Sequence, residues 1–137
     1  MRVPSVVLDT NIVISAHLSD QGLPYRVFML AMRRSLRLIV SAPILAEYQG
    51  VLLRPRFHFP IESVAESLAL IRQNSVLVTP AATLAVSADE PDNRFLECAE
   101  TGKADYLVTG NLRHFPAVWN QTRILSAREL IEVVFHL

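Results

Sequence analysis

The stretch Ser5–Ala16, SVVLDTNIVISA, decides how the rest of the chain is read. A short apolar run, Ser5–Leu8, ends on Asp9, Thr10 and Asn11, and the apolar pattern resumes at Ile12. A strand aimed at a core ends on a carboxylate for one of two reasons. The residue caps the helix that follows, or it serves a ligand at the edge of a sheet. This segment alone leaves both open.

Further along the chain, Leu36–Val40, Ser75–Val78, Tyr106–Val108 and Thr122–Leu125 are also short and mostly apolar rather than alternating. Strands covered on both faces have that composition. Between them lie helical patterns. Pro43–Leu53 carries Ile44, Leu45, Tyr48, Val51 and Leu52 on one stripe, and Ile61–Arg72 does the same through Val64, Leu68 and Ile71. Asn93–Thr101 groups Phe95, Leu96 and Ala99, with Gly102 as its expected stop. Ala127–Val134 follows a Ser126/Glu129 capping box, and Leu23–Arg34 is a helix with a basic end. Alternating strands and helices predict one α/β domain over residues 1–137, a three-layer α/β/α sandwich around a mostly parallel sheet. Ligands in such sheets sit beyond the carboxyl ends of the strands.

Composition narrows the function classes. With 137 residues and 51% hydrophobic content, the chain can bury one sizeable core. Thirteen Lys and Arg balance thirteen Asp and Glu, so nucleic-acid binding would need local patches rather than a global field. A single Cys, Cys98, excludes an internal disulfide and suits a reducing, cytoplasmic setting. No apolar run reaches 18 residues, and no signal peptide is recognisable, so no membrane association is expected. The chain lacks GxxxxGK[ST], GxGxxG, GxSxG and HExxH, which weakens nucleotide-binding, serine-hydrolase and zinc-protease readings.

Four residues fall where a sheet edge would gather them: Asp9 after the first strand, Glu47, Asp92 in SADEPDNRF, and Asn111 after Tyr106–Val108. At about 100° per residue, Asp92 projects with Phe95, Leu96 and Ala99, and Glu47 borders its apolar stripe beside Val51. Asp92 either caps its helix or belongs to a pocket; Glu47 is either a solvated rim residue or part of the same pocket. Clustered carboxylates repel one another unless a cation neutralises them, and hard oxygen donors select Mg²⁺ or Mn²⁺. Such a site suits phosphodiester hydrolysis.

VVLDTNIVISA, APILAEYQGVL, DEPDNRFLECAETGKADYLVTGN and ILSARELI together resemble a PIN domain over nearly the whole chain. The nearest likeness is to VapC-like toxin components of toxin–antitoxin systems. The resemblance implies a parallel five-stranded sheet ordered 3-2-1-4-5 and a ribonuclease that uses Mg²⁺ or Mn²⁺. It implies that Asp9, Glu47 and Asp92 are metal-binding acids, and that Thr10, Asn11 and Thr109 orient them. The family's usual fourth acid is replaced here by Asn111. An amide oxygen still ligates a hard cation but brings no charge. Asp89 and Glu90 are candidates to make up for it, whereas Asp105, before its strand, reads as a structural turn residue. A homodimer and an inhibiting antitoxin protein are also implied.

Two basic clusters remain. Arg33, Arg34 and Arg37 suit a solvated helix end. Arg54, Arg56 and His58 interleave with Phe57 and Phe59, as expected of either a solvated segment or an RNA contact. His17, His114 and His136 are isolated in sequence, so no zinc site is expected. Trp119 closes the core or sits at an interface. The chief rival is a PIN domain weakened by Asn111 and used for binding. A phosphotransfer receiver is disfavoured, because the first strand ends in Asp-Thr-Asn and no Lys follows Lys103.

Overall fold

The computed structural model describes residues 2–81, 83–84 and 90–135. Strands are β1 (Ser5–Leu8), β2 (Arg37–Val40), β3 (Ser75–Leu77), β4 (Tyr106–Val108), β5 (Val118–Trp119) and β6 (Thr122–Leu125). Helices are α1 (Thr10–Leu18), α2 (Leu23–Met32), α3 (Ala42–Leu52), α4 (Ile61–Gln73), α5 (Glu90–Gly102) and α6 (Ala127–Phe135). They flank one sheet ordered β3-β2-β1-β4-β6-β5. No helix among the described residues is long and apolar enough to cross a membrane.

The five expected strands are present, parallel and in the expected spatial order, with Thr122–Leu125 as β6. The sheet differs from the expectation by a sixth strand. β5 pairs antiparallel with β6 across Asn120-Gln121, and Asn120 takes a left-handed φ of 53°. Asn tolerates that conformation, which lets two residues fold back as a hairpin edge.

β1 is the central strand, and Val6, Val7 and Leu8 are fully buried between β2 and β4. α5 lies on β1, β2 and β4, while α6 packs on β4 and β6. The buried hydroxyl of Tyr48 donates to the Leu8 carbonyl, tying α3 to the end of β1. Asp105 stays away from the cleft side. It accepts from Ser5 N–H at 2.8 Å and pairs with Arg2 at the amino end of β1. Burial alone would raise its pKa, but the bonds from Ser5 and Arg2 hold it below the ordinary value.

Two helix ends differ from the sequence reading. α2 stops at Met32, because Arg34 is left-handed (φ 62°) and the N–H groups of Ser35 and Leu36 both turn back to the Leu30 carbonyl. α5 runs through Gly102, and the reversal falls on Lys103, at φ 51°. Ala104 N–H then reaches the Ala99 carbonyl at 2.9 Å, a helix-closing turn. Gly102 is present for a different reason. A Cβ there would meet Ile39 Cγ2 at 2.7 Å, so its missing side chain lets α5 lie close on β2. Gly102→Ala is therefore expected to destabilise the fold by about 1–3 kcal/mol through overpacking, read as a lower urea midpoint with an unchanged slope.

Candidate active site at the carboxyl edge of the sheet

The chain leaves β1 toward β2 on one side of the sheet, while β4 lies on the other. The carboxyl ends of β1 and β4 thus bound the crevice where open α/β sheets bind ligands. Asp9 stands at that point. Its backbone is extended (φ −63°, ψ 151°) and caps α1, and its N–H donates to Val108 O at 2.9 Å. The Asp9 carboxylate is 5% exposed and held from two sides. Oδ1 accepts from Thr10 N–H at 2.8 Å, and Oδ2 accepts from the Thr109 hydroxyl at 2.7 Å. Asp9 caps the helix, and it also lines the cleft at the edge of the sheet.

Burial pushes the Asp9 carboxyl up to about 6. The Thr109 and Thr10 bonds oppose that shift, and the negative charges of Asp92 and Glu47 add to it. Those charges act because all three acids, with Asn111, line one open cleft of about 430 Å³. Glu47, half-buried on α3, accepts from the Thr10 hydroxyl. Asp92 lies in the first turn of α5, which starts at Glu90, three residues earlier than the sequence pattern placed it. Asp92 is nearly buried, and its Oδ2 is 3.0 Å from Nδ1 of His114. Asn111 is exposed at the cleft mouth, and its N–H donates to the Thr109 hydroxyl at 2.9 Å. Asn11 accepts from Gly110 N–H at 3.0 Å, which ties the turn after β4 to the start of α1.

The lining also has a basic and aromatic part. Arg54, Arg56 and Phe57 line the cleft, with the Arg56 guanidinium 4.8 Å from the Phe57 ring centre and Phe59 stacked on Phe57 at 5.8 Å. Among the described residues neither arginine pairs with a carboxylate. His58, at a left-handed φ of 56°, stands outside the lining. Arg34 and Arg37 border a separate recess beside β3, and Arg33 lines another with Tyr25 and Met29. Glu90 holds Arg94 at 2.9 Å and Asn93 at 3.1 Å, and Asp89 lies outside the described residues. The residue missed in the sequence is His114, which had no nearby partner to signal it: its contact with Asp92 spans 22 positions.

No three His, Cys, Asp or Glu side chains among the described residues stand close enough to enclose a metal ion directly. The donor set nonetheless fits Mg²⁺ or Mn²⁺. Mg²⁺ keeps several waters and takes one or two carboxylates, and here three carboxylates and an amide oxygen face one cleft.

Residues 5–113 match the PIN domain family. The chain belongs to that family. This PIN domain is 29% identical over 109 residues to an uncharacterized protein of Methanocaldococcus jannaschii, covering 77% of this chain and 70% of that one. It also superposes on a chain of the crystal structure of VapBC2 from Rickettsia felis bound to a DNA fragment from their promoter. That match has a TM-score of 0.57 and 18% identity, covering 89% of this chain and 97% of the other. At that identity the likeness is one of fold.

Asp9 gives a stability prediction. Its pKa is raised from 3.8 to about 6, so the folded state holds a proton that the unfolded state has already lost. Without divalent cations, the Asp9 contribution to stability should therefore fall as pH rises from about 4 to 6, then level off. Two pKa units correspond to roughly 3 kcal/mol as an upper bound. Asp9→Asn removes the charge, so its stability gain over the wild type should be near zero at pH 4 and about 1–3 kcal/mol at pH 7 in EDTA, read from urea curves at each pH.

Proposed function

We propose that this PIN domain is an endoribonuclease dependent on Mg²⁺ or Mn²⁺ that hydrolyses single-stranded RNA, and that it is the toxin of a toxin–antitoxin pair. The observation that carries the nuclease reading is one cleft lined by acids and arginines together. Asp9, Glu47 and Asp92 line it, as do Arg54, Arg56 and Phe57. A divalent cation bound among the acids would place positive charge against a phosphoryl oxygen and acidify a water beside it. The chain supplies the rest. Thr109 and Thr10 N–H fix the Asp9 oxygens, the Thr10 hydroxyl fixes Glu47, and His114 contacts Asp92. Asn111 offers an amide oxygen at the mouth without adding charge. The two arginines suit the phosphates on either side of the cleaved bond, and Phe57 offers an apolar wall to a base. His58 would contact RNA only beyond the cleft.

An antitoxin partner is supported by the likeness to VapBC2, and a homodimer by the resemblance of the sequence to VapC-like toxins. A second reading is favoured by Asn111: a PIN domain with weakened catalysis that binds RNA or protein. One assay decides between them. Labelled single-stranded RNA is incubated with Mn²⁺, Mg²⁺ or EDTA. Metal-dependent cleavage that Asp9→Asn reduces by at least about 100-fold supports the nuclease. A silent wild type that gains cleavage in Asn111→Asp supports the binding module.

The two arginines carry their own expectation. Arg54→Ala with Arg56→Ala should raise KM for RNA about tenfold, leave kcat within a few-fold, and flatten the salt dependence by about one phosphate contact per arginine. Steady-state kinetics at several salt concentrations give all three quantities.

A further inference from the structure

The three acids of the cleft share a pattern. Each has one oxygen taken by a donor from another segment: Asp9 Oδ2 by the Thr109 hydroxyl, Glu47 Oε2 by the Thr10 hydroxyl, and Asp92 Oδ2 by the imidazole of His114. An ionised carboxylate only accepts, so His114 donates from Nδ1. The first two donors are Thr side chains beside the strand ends. The third comes from the short 3-10 turn Leu112–His114, which follows Asn111 directly.

That turn is held at both ends. Asn111 N–H is bound by the Thr109 hydroxyl at one end, and Phe115 is buried at the other. His114 N–H closes the turn on the Asn111 carbonyl at 3.0 Å. The backbone that carries the imidazole is thereby fixed relative to β4, and so relative to Asp9, which shares Thr109 with the same segment. Asp92 sits on a different element, α5. The His114 contact thus joins the carboxylate of α5 to the framework that holds the carboxylate of β1.

We propose that His114 is a positioning residue for Asp92, holding its carboxylate in the orientation that meets a divalent cation in the cleft. The inference rests on the metal-dependent reading of the site. It explains why this turn carries both an uncharged Asn111 and His114. With no charge at position 111, the set has three carboxylates, and their aim matters more. Partners that orient a ligating group typically contribute ten- to a hundred-fold in metal affinity.

The test is Mn²⁺ binding by the full chain without RNA, read from the free-ion resonance signal, with cleavage measured alongside. Side-chain geometry separates the variants. In His114→Asn the amide nitrogen stands near the place of Nδ1, whereas in His114→Gln it stands near that of Nε2. The expected result is a near-wild-type Mn²⁺ affinity for His114→Asn and a loss of roughly 10–100-fold for His114→Gln and His114→Ala. His114 is largely exposed, and a thermal melt checks that each variant is folded. A folded His114→Ala with wild-type Mn²⁺ affinity overturns the proposal. If that variant also still cleaves, the nuclease reading stands without it. If the wild type binds Mn²⁺ but never cleaves, and His114→Ala loses the ion, the positioning role stands and the nuclease reading falls. A wild type that binds no Mn²⁺ overturns both.

Discussion

Everything around the cleft follows from taking the Asp9 carboxyl out of water at the end of a fully buried strand. An ionised acid is costly to bury, and the chain compensates only in part. One backbone N–H and one hydroxyl reach its two oxygens, yet its pKa still stands at about 6. The remaining penalty comes from burial first and from two like charges second. A structure optimised for stability alone would place an amide or an apolar residue there. The residues that brace Asp9 also tie in its neighbours: the Thr10 hydroxyl reaches Glu47, and the buried Thr109 hydroxyl joins Asp9 to the Asn111 N–H.

Electroneutrality conceals a division of charge within this cleft. Acids come from β1, α3 and α5, while the arginines come from the segment just after α3. Glu47 and Arg54 are separated by seven positions, so the helix that delivers an acid to the cleft also leads directly into the segment that delivers the arginines. Arg56 lying over Phe57, with Phe59 behind, limits the freedom of that guanidinium before any ligand arrives.

Much of this architecture could be read from the sequence, because buried parallel strands and amphipathic helices leave strong local patterns. The inward phase of Asp92 and the borderline phase of Glu47 were both legible from helical spacing, and the structure brings both to one cleft. What escaped was non-local or too short to be periodic. β5 has two residues, and its only signal was an Asn at the turn. His114 looked isolated because its partner lies on another element. Gly102 looked like a stop signal, whereas its role is set by Ile39 across the α5–β2 contact. His58 shared a motif with Arg54 and Arg56, but a left-handed backbone at that position removes it from their cleft.

The bond between Thr109 and Asp9 joins residues 100 positions apart, and β1 pairs with β4 over the same separation. This has a consequence for the order of events on the ribosome. While the chain is being made, β1, α1, β2 and α3 precede α5 and β4, so Asp9 and Glu47 are made before Asp92. The strand that brings Thr109, Asn111 and His114 pairs with β1 from 100 positions further along. A nascent or prematurely terminated chain therefore carries the first two acids but lacks the framework that aims them. Long-range closure of this kind is also slow relative to local helix formation. The cleft is thus completed only after β4 and the turn that follows it have been made.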